Sequence, residues 1–346
     1  MNDQIKEVGA FFLSLTDTLV HSPWTDRAVS FATAQGPVQL VLLFLVSSMV
    51  MVWRLNAVEK KGFEGTMVGT LVMPYCSGFA NLAFAFVMGR TNGPSSLVLE
   101  NCMVNNVTNL TLILGLCALF TGTHLNKKSK APQERISYFS LVLTIIGLLF
   151  FTGAVYTLSR DKVLDFSDGL MLCGLFLFWQ IIHIFELLKT NVGKNNTLTP
   201  SLIADLILAG LGAWACLHSI EGLVAWVTTH GKGLLSLKYL GLLSGILMVI
   251  PNGLLAFYYS ARARSDIAYS SQMGDCHICI PLCIGLYALF TPINLPESFL
   301  PGMVAILGAG CVHLIFTILL GKIPRIIGAG LAVGYFVFVF KGFIQL

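Results

Sequence analysis

The residues best suited to chemistry in this sequence form two polar stripes inside otherwise apolar stretches. The members of each stripe are spaced four residues apart: Asn101, Asn105 and Asn109 in the first, and Ser271, Asp275 and Cys279 in the second. In a helix this spacing places the side chains on one face. Amide, hydroxyl and carboxylate oxygens on such faces can replace the water around a hard cation. If the two faces meet inside the membrane, the stripes therefore predict a cation site.

The stretches that carry these stripes belong to a strongly apolar chain. Of its 346 residues, 55% are hydrophobic and 11% are charged, and the mean hydropathy is +0.80. A soluble domain would carry about a quarter charged residues. Apolar windows near the roughly 20 residues that a bilayer-spanning helix needs recur along the chain. They predict an all-α polytopic membrane protein with ten transmembrane helices, near 37–54, 65–88, 97–122, 136–159, 166–189, 202–226, 236–260, 267–291, 299–320 and 323–344.

Lysine and arginine are unevenly divided between the loops on the two sides of these helices. Assigning the loops alternately places 13 basic residues on one side and 8 on the other, together the 21 of the chain. By the positive-inside rule the richer side faces the cytoplasm. Both termini are then extracytoplasmic, in a plasma or inner membrane. The basic residues form no cluster with interleaved aromatic residues, so we expect no nucleic-acid partner.

The ten predicted helices divide into two sets of five. Because five is odd, the second set must be inserted upside down relative to the first, and inverted repeats are typical of transporters. Segments 76–116 and 247–286 each read as a helix, a break and a second helix, and we expect backbone carbonyls from the breaks at the site. They align with an offset of about 170 residues. Equivalent positions are Asn81 and Asn252, Asn101 and Ser271, Asn105 and Asp275, Asn109 and Cys279, and Gly115 and Gly285.

These segments resemble the calcium/cation antiporter superfamily, which includes the sodium/calcium exchangers. Each half of that family carries GTSxPE, followed by GNxxGSNxxN and ILGL. Here ENCMVNNVTNLTLILGL at 100–116 keeps Asn101, Asn106 and Asn109 of the second element. LSRDKVLDFSDGLML at 158–172, KIPRIIGAGLAVGYF at 322–336 and LFTPI at 289–293 are similar to further family segments. The resemblance covers about 37–346 and implies a ten-helix antiporter with its cation site at the middle of the membrane.

This resemblance also divides the chain. The segment before it, 1–36, is extracytoplasmic by the charge count, and its stretch 8–22, which is short and contains Asp17 and His21, would lie along the membrane surface rather than span it. The first exchanger-like repeat then covers 37–189. A cytoplasmic linker follows over 190–201, and the second, inverted repeat covers 202–346.

Both halves depart from the family pattern where the family binds calcium. The glutamate that ends GTSxPE is replaced by Asn81 in one half and Asn252 in the other, whereas Asp275 replaces a serine of the second element. An alternative register would match Pro74 and Tyr75 to the Pro-Glu pair, but it makes the repeats unequal in length. A divalent ion without compensating charge is costly in an apolar interior. The altered motifs therefore favour sodium or protons over tightly bound calcium.

Ionisable residues within apolar helices are the second indication of function. A carboxylate at the bilayer centre costs at least about 2.5 kcal/mol and is usually functional or paired. We expect Asp275 to bind the cation or carry a proton, and Glu100 to contribute or to lie along the access path. Alternatively, Asp275 bonds a broken backbone and Glu100 begins its helix near the membrane surface. We interpret His218 and His313 as core histidines with satisfied hydrogen bonds.

The cysteines permit a different interpretation. DCHIC at 275–279, together with Cys283, Cys76 and Cys102, could form a soft-metal site. However, His277 would face away from Asp275 on a helix, and buried cysteines commonly pack as small hydrophobic residues. We therefore favour packing roles, and expect no cofactor and no metal besides the transported cation.

The resulting hypothesis is a secondary active cation antiporter that exchanges sodium, protons or calcium through a midplane site with few carboxylates. No Walker loop or Ser-His-Asp pattern appears in a suitable context, so we expect neither an ATP-driven pump nor an enzyme. The alternative is a non-transporting membrane subunit or interaction protein derived from the family, which the unequal loss of the two motifs would fit. The predicted cation-binding residues are Asn81, Asn101, Asn105, Asn109, Asn252, Ser271 and Asp275, with Glu100 as a proton or access-path acid.

Overall fold

The computed structural model describes residues 36–58, 78–123, 125, 132–190 and 200–344. The predicted surface helix at 8–22, the alternative register at Pro74 and Tyr75, and most of the 190–201 linker lie outside these residues. The helices are α1 Pro37–Val58, α2 Phe79–Arg90, α3 Ser95–Phe120, α4 Pro132–Leu158, α5 Phe166–Thr190, α6 Pro200–His230, α7 Leu240–Ala261, α8 over 265–288, α9 Phe299–Leu320 and α10 Arg325–Val339. A π-helical turn, Phe340–Ile344, follows α10.

Seven of the described helices are long and apolar enough to cross a membrane, judged by length and composition: α1, α3, α4, α6, α7, α9 and α10. α2 and the Phe166–Ile182 part of α5 are shorter apolar helices. β1 (Val163–Leu164) and β2 (Ile293–Asn294) form a short antiparallel pair. The predicted all-helical membrane class is therefore confirmed, whereas the number of ten spans and their inversion stay predictions.

The outward faces of these helices carry large apolar side chains. Trp53 of α1, Phe178 of α5, Trp214 of α6 and Phe336 of α10 are each more than half exposed. An exposed apolar patch on this scale marks a surface that contacts lipid or another protein. Since such side chains recur on helix after helix, the outer surface suits a bilayer.

α3 and α8 share an uncommon construction. α3 is α-helical over Ser95–Val107 and π-helical over Thr108–Ile113, and the α-helix then resumes. α8 is α-helical over Ser265–His277 and π-helical over Ile278–Cys283 before its α-helix resumes. The first residue of α8 and both ends of its π-helical segment follow their counterparts in α3 by 170 positions, as from 108 to 278. π-helical turns are rare and frequently occur at functional sites.

These two helices lie at the centre of the packing. α3 packs mainly against α7, α8, α9 and α10, and α8 packs against α2, α3, α4 and α5 as well as its neighbour α7. α1 packs chiefly against α6. Each half of the chain therefore surrounds the central helix of the other half.

Reciprocal glycine contacts bring these helices close together. A Cβ at Gly328 of α10 would lie 2.6 Å from the Gly115 oxygen of α3. Likewise, a Cβ at Gly169 of α5 would lie 2.8 Å from the Gly285 oxygen of α8. Small residues allow membrane helices to approach this closely. The same kind of contact therefore occurs in both halves of the chain: α3 meets α10 through Gly115 and Gly328, and α8 meets α5 through Gly285 and Gly169.

Candidate functional site

Five polar side chains meet between α2, α3 and α8, and we call them the central cluster. Each is fully buried. The members are Asn81 of α2, Asn105 and Asn109 of α3, and Asp275 and Cys279 of α8. They come together because the four-residue spacing holds Asn105 and Asn109 on adjacent turns, as it does Asp275 and Cys279.

Hydrogen bonds join the members into one network. Nδ2 of Asn109 donates to Oδ2 of Asp275 at 2.8 Å and lies 3.0 Å from Oδ1 of Asn105. Nδ2 of Asn105 in turn donates to Oδ1 of Asn81 at 3.2 Å. The Cys279 thiol also donates to Oδ1 of Asn105, at 3.4 Å. The network therefore runs without interruption from α2 through α3 to α8.

Some polar atoms of the central cluster are unpaired within the described part of the chain. Oδ1 of Asp275 and Oδ1 of Asn109 accept no hydrogen bond, and Nδ2 of Asn81 donates none. Nearly all buried polar atoms in proteins have a partner, and one left without a partner costs about 1–3 kcal/mol. Among the described residues, one carboxylate oxygen and one amide oxygen of this network therefore accept no hydrogen bond.

A second polar group joins α7 to α8. Oγ of Ser271 donates to Oδ1 of Asn252 at 2.5 Å, and Nε2 of Gln272 donates to the Asn252 carbonyl at 3.2 Å. Ser271 is half-buried, whereas Asn252 and Gln272 are buried. Oε1 of Gln272 and Nδ2 of Asn252 have no partner among the described residues. Gln272 was not predicted, because it lies one residue off the Ser271–Asp275 face.

Asn101 makes a third contact, between α3 and α7. Its Nδ2 donates to Oγ of Ser244 at 2.9 Å and lies 3.5 Å from the Met248 sulfur. Its Oδ1 has no partner among the described residues. Ser244 was not predicted either. Ser244 precedes Asn252 by eight residues, so it lies about two turns away and about 80° round α7 from it.

Glu100 lies near the beginning of α3, where α3 passes the first turn of α7. A Cβ at Gly241 would lie 2.7 Å from Oε2 of Glu100, so the carboxylate fills the space that the glycine leaves. Glu100 is half-buried. No hydrogen bond among the described residues joins it to the central cluster. This placement separates Glu100 from Asp275, at the end of α3 that leads toward the loop at 91–94.

His277 faces away from Asp275, as the sequence predicted. Its Nε2 lies 2.7 Å from the Thr144 carbonyl of α4, and its ring packs edge-on against Phe151 and Trp179. Across the described residues, no three or more His, Cys, Asp or Glu side chains are arranged to hold a metal ion. Cys76 lies outside those residues. The described cysteines are free thiols, and most are buried.

The structure thus brings four of the predicted ligands together and separates the other four. Asn81, Asn105, Asn109 and Asp275 belong to the central cluster. Three further places are occupied by Asn252 with Ser271, by Asn101 and by Glu100. The expectation that the helix breaks supply carbonyls is wrong, because turn residues 91–94 and 262–264 are mostly exposed at helix ends. Two members of the central cluster, Asn109 and Cys279, lie instead within the π-helical segments.

The chain is similar to a known protein family and to solved structures. The family described as sodium/calcium exchanger protein matches residues 37–185. The sodium-calcium exchanger NCX_Mj, soaked with 2.5 mM Na+ and 0.1 mM Sr2+, superposes with a TM-score of 0.63 at 14% identity, over 89% of this chain and 98% of that one. The same exchanger soaked with zero Na+ and Ca2+ gives a TM-score of 0.61 at 19% identity, over 87% and 97%. No curated protein sequence is similar enough to match.

The family resemblance inferred from the sequence is therefore confirmed. The structural likeness establishes a shared fold over nearly the whole of both chains. Together with the apolar helices, it identifies a multi-pass integral membrane protein.

Proposed function

We propose that this sodium/calcium exchanger-like membrane protein is a secondary active cation antiporter whose ion binds at the central cluster. The observation that carries the proposal is the fully buried Asp275 carboxylate, which accepts a hydrogen bond from Asn109 and keeps a second oxygen unpaired. A buried carboxylate in a membrane interior is costly unless it is paired or binds an ion. The free Oδ1 of Asn109 lies on the same network and would be a neutral second ligand.

The charge of the site favours a monovalent cation. Asp275 is the one carboxylate of the central cluster, since Asn81 and Asn252 stand where the family has glutamate. A single bound charge would be neutralised by Asp275, whereas a divalent ion would leave one charge uncompensated in an apolar interior, at considerable cost. We therefore rank sodium and protons above calcium as the exchanged ions.

The proposed architecture is ten transmembrane helices in two inverted repeats, over 37–189 and 202–346, joined by a cytoplasmic linker. Two features support it: the matching π-helical segments, and the reciprocal Gly115–Gly328 and Gly169–Gly285 contacts. Inverted repeats place the substrate site at their interface, where one half moves against the other during alternating access. In this arrangement both termini are extracytoplasmic, in a plasma or inner membrane.

The remaining predicted residues would line the route to the central cluster. Asn101 with Ser244, and Asn252 with Ser271, each keep an unpaired amide atom between α3, α7 and α8. The unpaired Asn101 oxygen would briefly bind a passing cation, whereas the unpaired Asn252 NH2 group, a donor, would bond only to water around that cation. Glu100, half-buried at the beginning of α3, would attract cations toward this route.

The alternative function, a non-transporting membrane subunit, is favoured by one observation. The amides of Asn81, Asn105 and Asn109 bond to one another, so the central cluster is partly satisfied without an ion. The unpaired Oδ1 atoms of Asp275 and Asn109 weigh against it, because a purely structural network would be expected to satisfy them.

Reconstitution into proteoliposomes tests the proposal. The wild type should take up labelled sodium against an opposing sodium, proton or calcium gradient, and Asp275→Asn should abolish uptake. Asp266→Asn is the matched control, because Asp266 begins the same helix but is partly exposed and pairs with Arg264. Uptake by Asp275→Asn equal to that of Asp266→Asn would contradict the site. Absence of cation-dependent flux under every gradient would favour the non-transporting subunit.

A further inference from the structure

The π-helical segment of α3 releases one buried backbone carbonyl from its usual partner. In a regular α-helix the N–H of Leu114 would bond to the oxygen of Leu110, four residues earlier. Here the Leu114 N–H is directed to the carbonyls of Asn109 and Thr111 instead. Leu110 is fully buried. A buried carbonyl that loses its donor must find another or cost stability.

His313 of α9 supplies the replacement donor. Its Nε2 lies 2.7 Å from the Leu110 oxygen, and its Nδ1 lies 3.1 Å from the hydroxyl of Tyr269 on α8. Because a carbonyl can only accept, Nε2 carries the hydrogen and Nδ1 accepts from the tyrosine hydroxyl. The ring is fully buried and packs edge-on against Tyr269. Both ring nitrogens are therefore partnered, and the imidazole is fixed in one orientation.

The segment that His313 contacts is the one that carries Asn109. Asn109 and Leu110 are consecutive residues of the Thr108–Ile113 π-helical segment. Reversion of this segment to a regular α-helix would rotate Asn109 relative to Asp275, because the two helix types differ in residues per turn. The bond to Leu110 favours the π-helical form.

The two π-helical segments differ in how they are kept in that form. The segment of α8 contains Pro281, which has no N–H to re-form an α-helical bond at that position. The segment of α3, TNLTLI, contains no proline. Its own sequence therefore permits a regular helix, and a restraint from outside α3 is needed.

We propose that His313 is a positioning residue of the cation site, which directs Asn109 at Asp275 by holding the Leu110 carbonyl. The inference rests on the proposed cation site for its effect on transport. His313 does not bond to the Asp275 or Asn109 side chains. It acts through the backbone, from a helix of the opposite half of the chain.

The transport test compares three variants by their half-saturating sodium concentration. His313→Leu removes the donor and should raise this concentration about three- to tenfold, as expected for the loss of one hydrogen bond. His313→Gln keeps an N–H donor and should stay near the wild type. Tyr269→Phe removes only the Nδ1 partner and should have a smaller effect. An unchanged half-saturating concentration in His313→Leu would overturn the proposal.

A second readout does not depend on transport. In protein labelled with 15N-asparagine, the side-chain NH2 resonance of Asn109 should shift in His313→Leu and stay in place in His313→Gln. His218→Gln, on α6, is the control for loss of a histidine elsewhere. An Asn109 resonance that stays in place in folded His313→Leu would overturn the positioning role. A wild type without flux but with the expected shift would instead contradict the proposed function and leave the positioning role supported.

Discussion

Asn109 and Asp275, which are 166 residues apart in the chain, are joined by a 2.8 Å hydrogen bond with both side chains fully buried. The bond connects the central helix of one half to the central helix of the other. Relative movement of the two halves would therefore change the geometry of this bond. An ion bound to the unpaired Oδ1 of Asp275 would therefore affect the contact between α3 and α8.

Replacing Asn109 should damage both stability and transport. In Asn109→Leu, Oδ2 of Asp275 loses its donor, and an unsatisfied buried acceptor costs about 1–3 kcal/mol, or more when it is charged. We expect a lower melting temperature in detergent and the loss of sodium uptake. Asn106→Leu is a suitable control, because the Asn106 side chain is equally buried but makes no hydrogen bond within the described chain. Equal melting temperatures for the two variants would contradict the role of Asn109.

A carboxylate restored at Asn81 should improve calcium binding. Asn81 contacts Asn105 within the central cluster, so Asn81→Glu would place a second negative charge close to Asp275. A divalent ion would then be compensated. We expect the calcium concentration that half-inhibits sodium uptake to fall by about tenfold, equivalent to about 1.4 kcal/mol.

Asn81→Gln is the control for this substitution, because it lengthens the side chain without adding charge. If Asn81→Gln and Asn81→Glu respond equally to calcium, the charge argument is wrong. The same pair of substitutions at Asn252 tests whether the second polar group shares the site.

Gly328 should tolerate no side chain. A Cβ there would lie 2.6 Å from the Gly115 oxygen, so Gly328→Ala forces α10 away from α3 at a cost of about 1–3 kcal/mol, typical of overpacking. Gly330→Ala lies on the same helix and meets open space. We expect a lower melting temperature for the first variant and little change for the second.

The corresponding pair in the other half is Gly169→Ala and Gly174→Ala on α5. A Cβ at Gly169 would meet the Gly285 oxygen, whereas a Cβ at Gly174 meets nothing within 4 Å. If the halves are structural repeats, this pair should reproduce the difference seen on α10. Similar stability of Gly169→Ala and Gly174→Ala would contradict the reciprocal packing.

Glu100 should affect the rate of cation entry more than binding. Its half-buried carboxylate is separate from the central cluster, at the beginning of α3. Glu100→Gln should slow sodium uptake at low ionic strength, and the difference should shrink as salt screens the charge. Initial uptake rates at two salt concentrations measure this. A rate difference that is independent of salt would argue against an access-path role.

The sequence predicted the helices from their long apolar runs. It predicted the shared face of each polar stripe because a four-residue spacing is close to one helical turn. The meeting of α3 with α8 also followed from the sequence, since the 170-residue offset makes their polar stripes equivalent and inverted repeats place the site at their interface. The separation of Asn101 from the central cluster was not predicted from the sequence. Each four-residue step on an α-helix drifts by about 40°, so Asn101 and Asn109 diverge by about 80°.

Other features depend on tertiary packing and could not be predicted. The π-helical turns change which face each residue occupies, and no local pattern in TNLTLI distinguishes them from a regular helix. The bond from His313 to the Leu110 carbonyl joins residues 203 apart. From the sequence, His313 could be interpreted only as a satisfied core histidine. That expectation is confirmed by its two partners.

The most direct test of the cation site is to locate a heavy monovalent ion in crystals of the protein. Thallium can replace sodium or potassium at many oxygen sites and is visible by its anomalous scattering. We predict one anomalous peak beside Oδ1 of Asp275 and Oδ1 of Asn109 in the wild type, and its loss in Asp275→Asn. A wild type that transports cations but shows no peak at these oxygens, or a peak that persists in Asp275→Asn, would contradict the account.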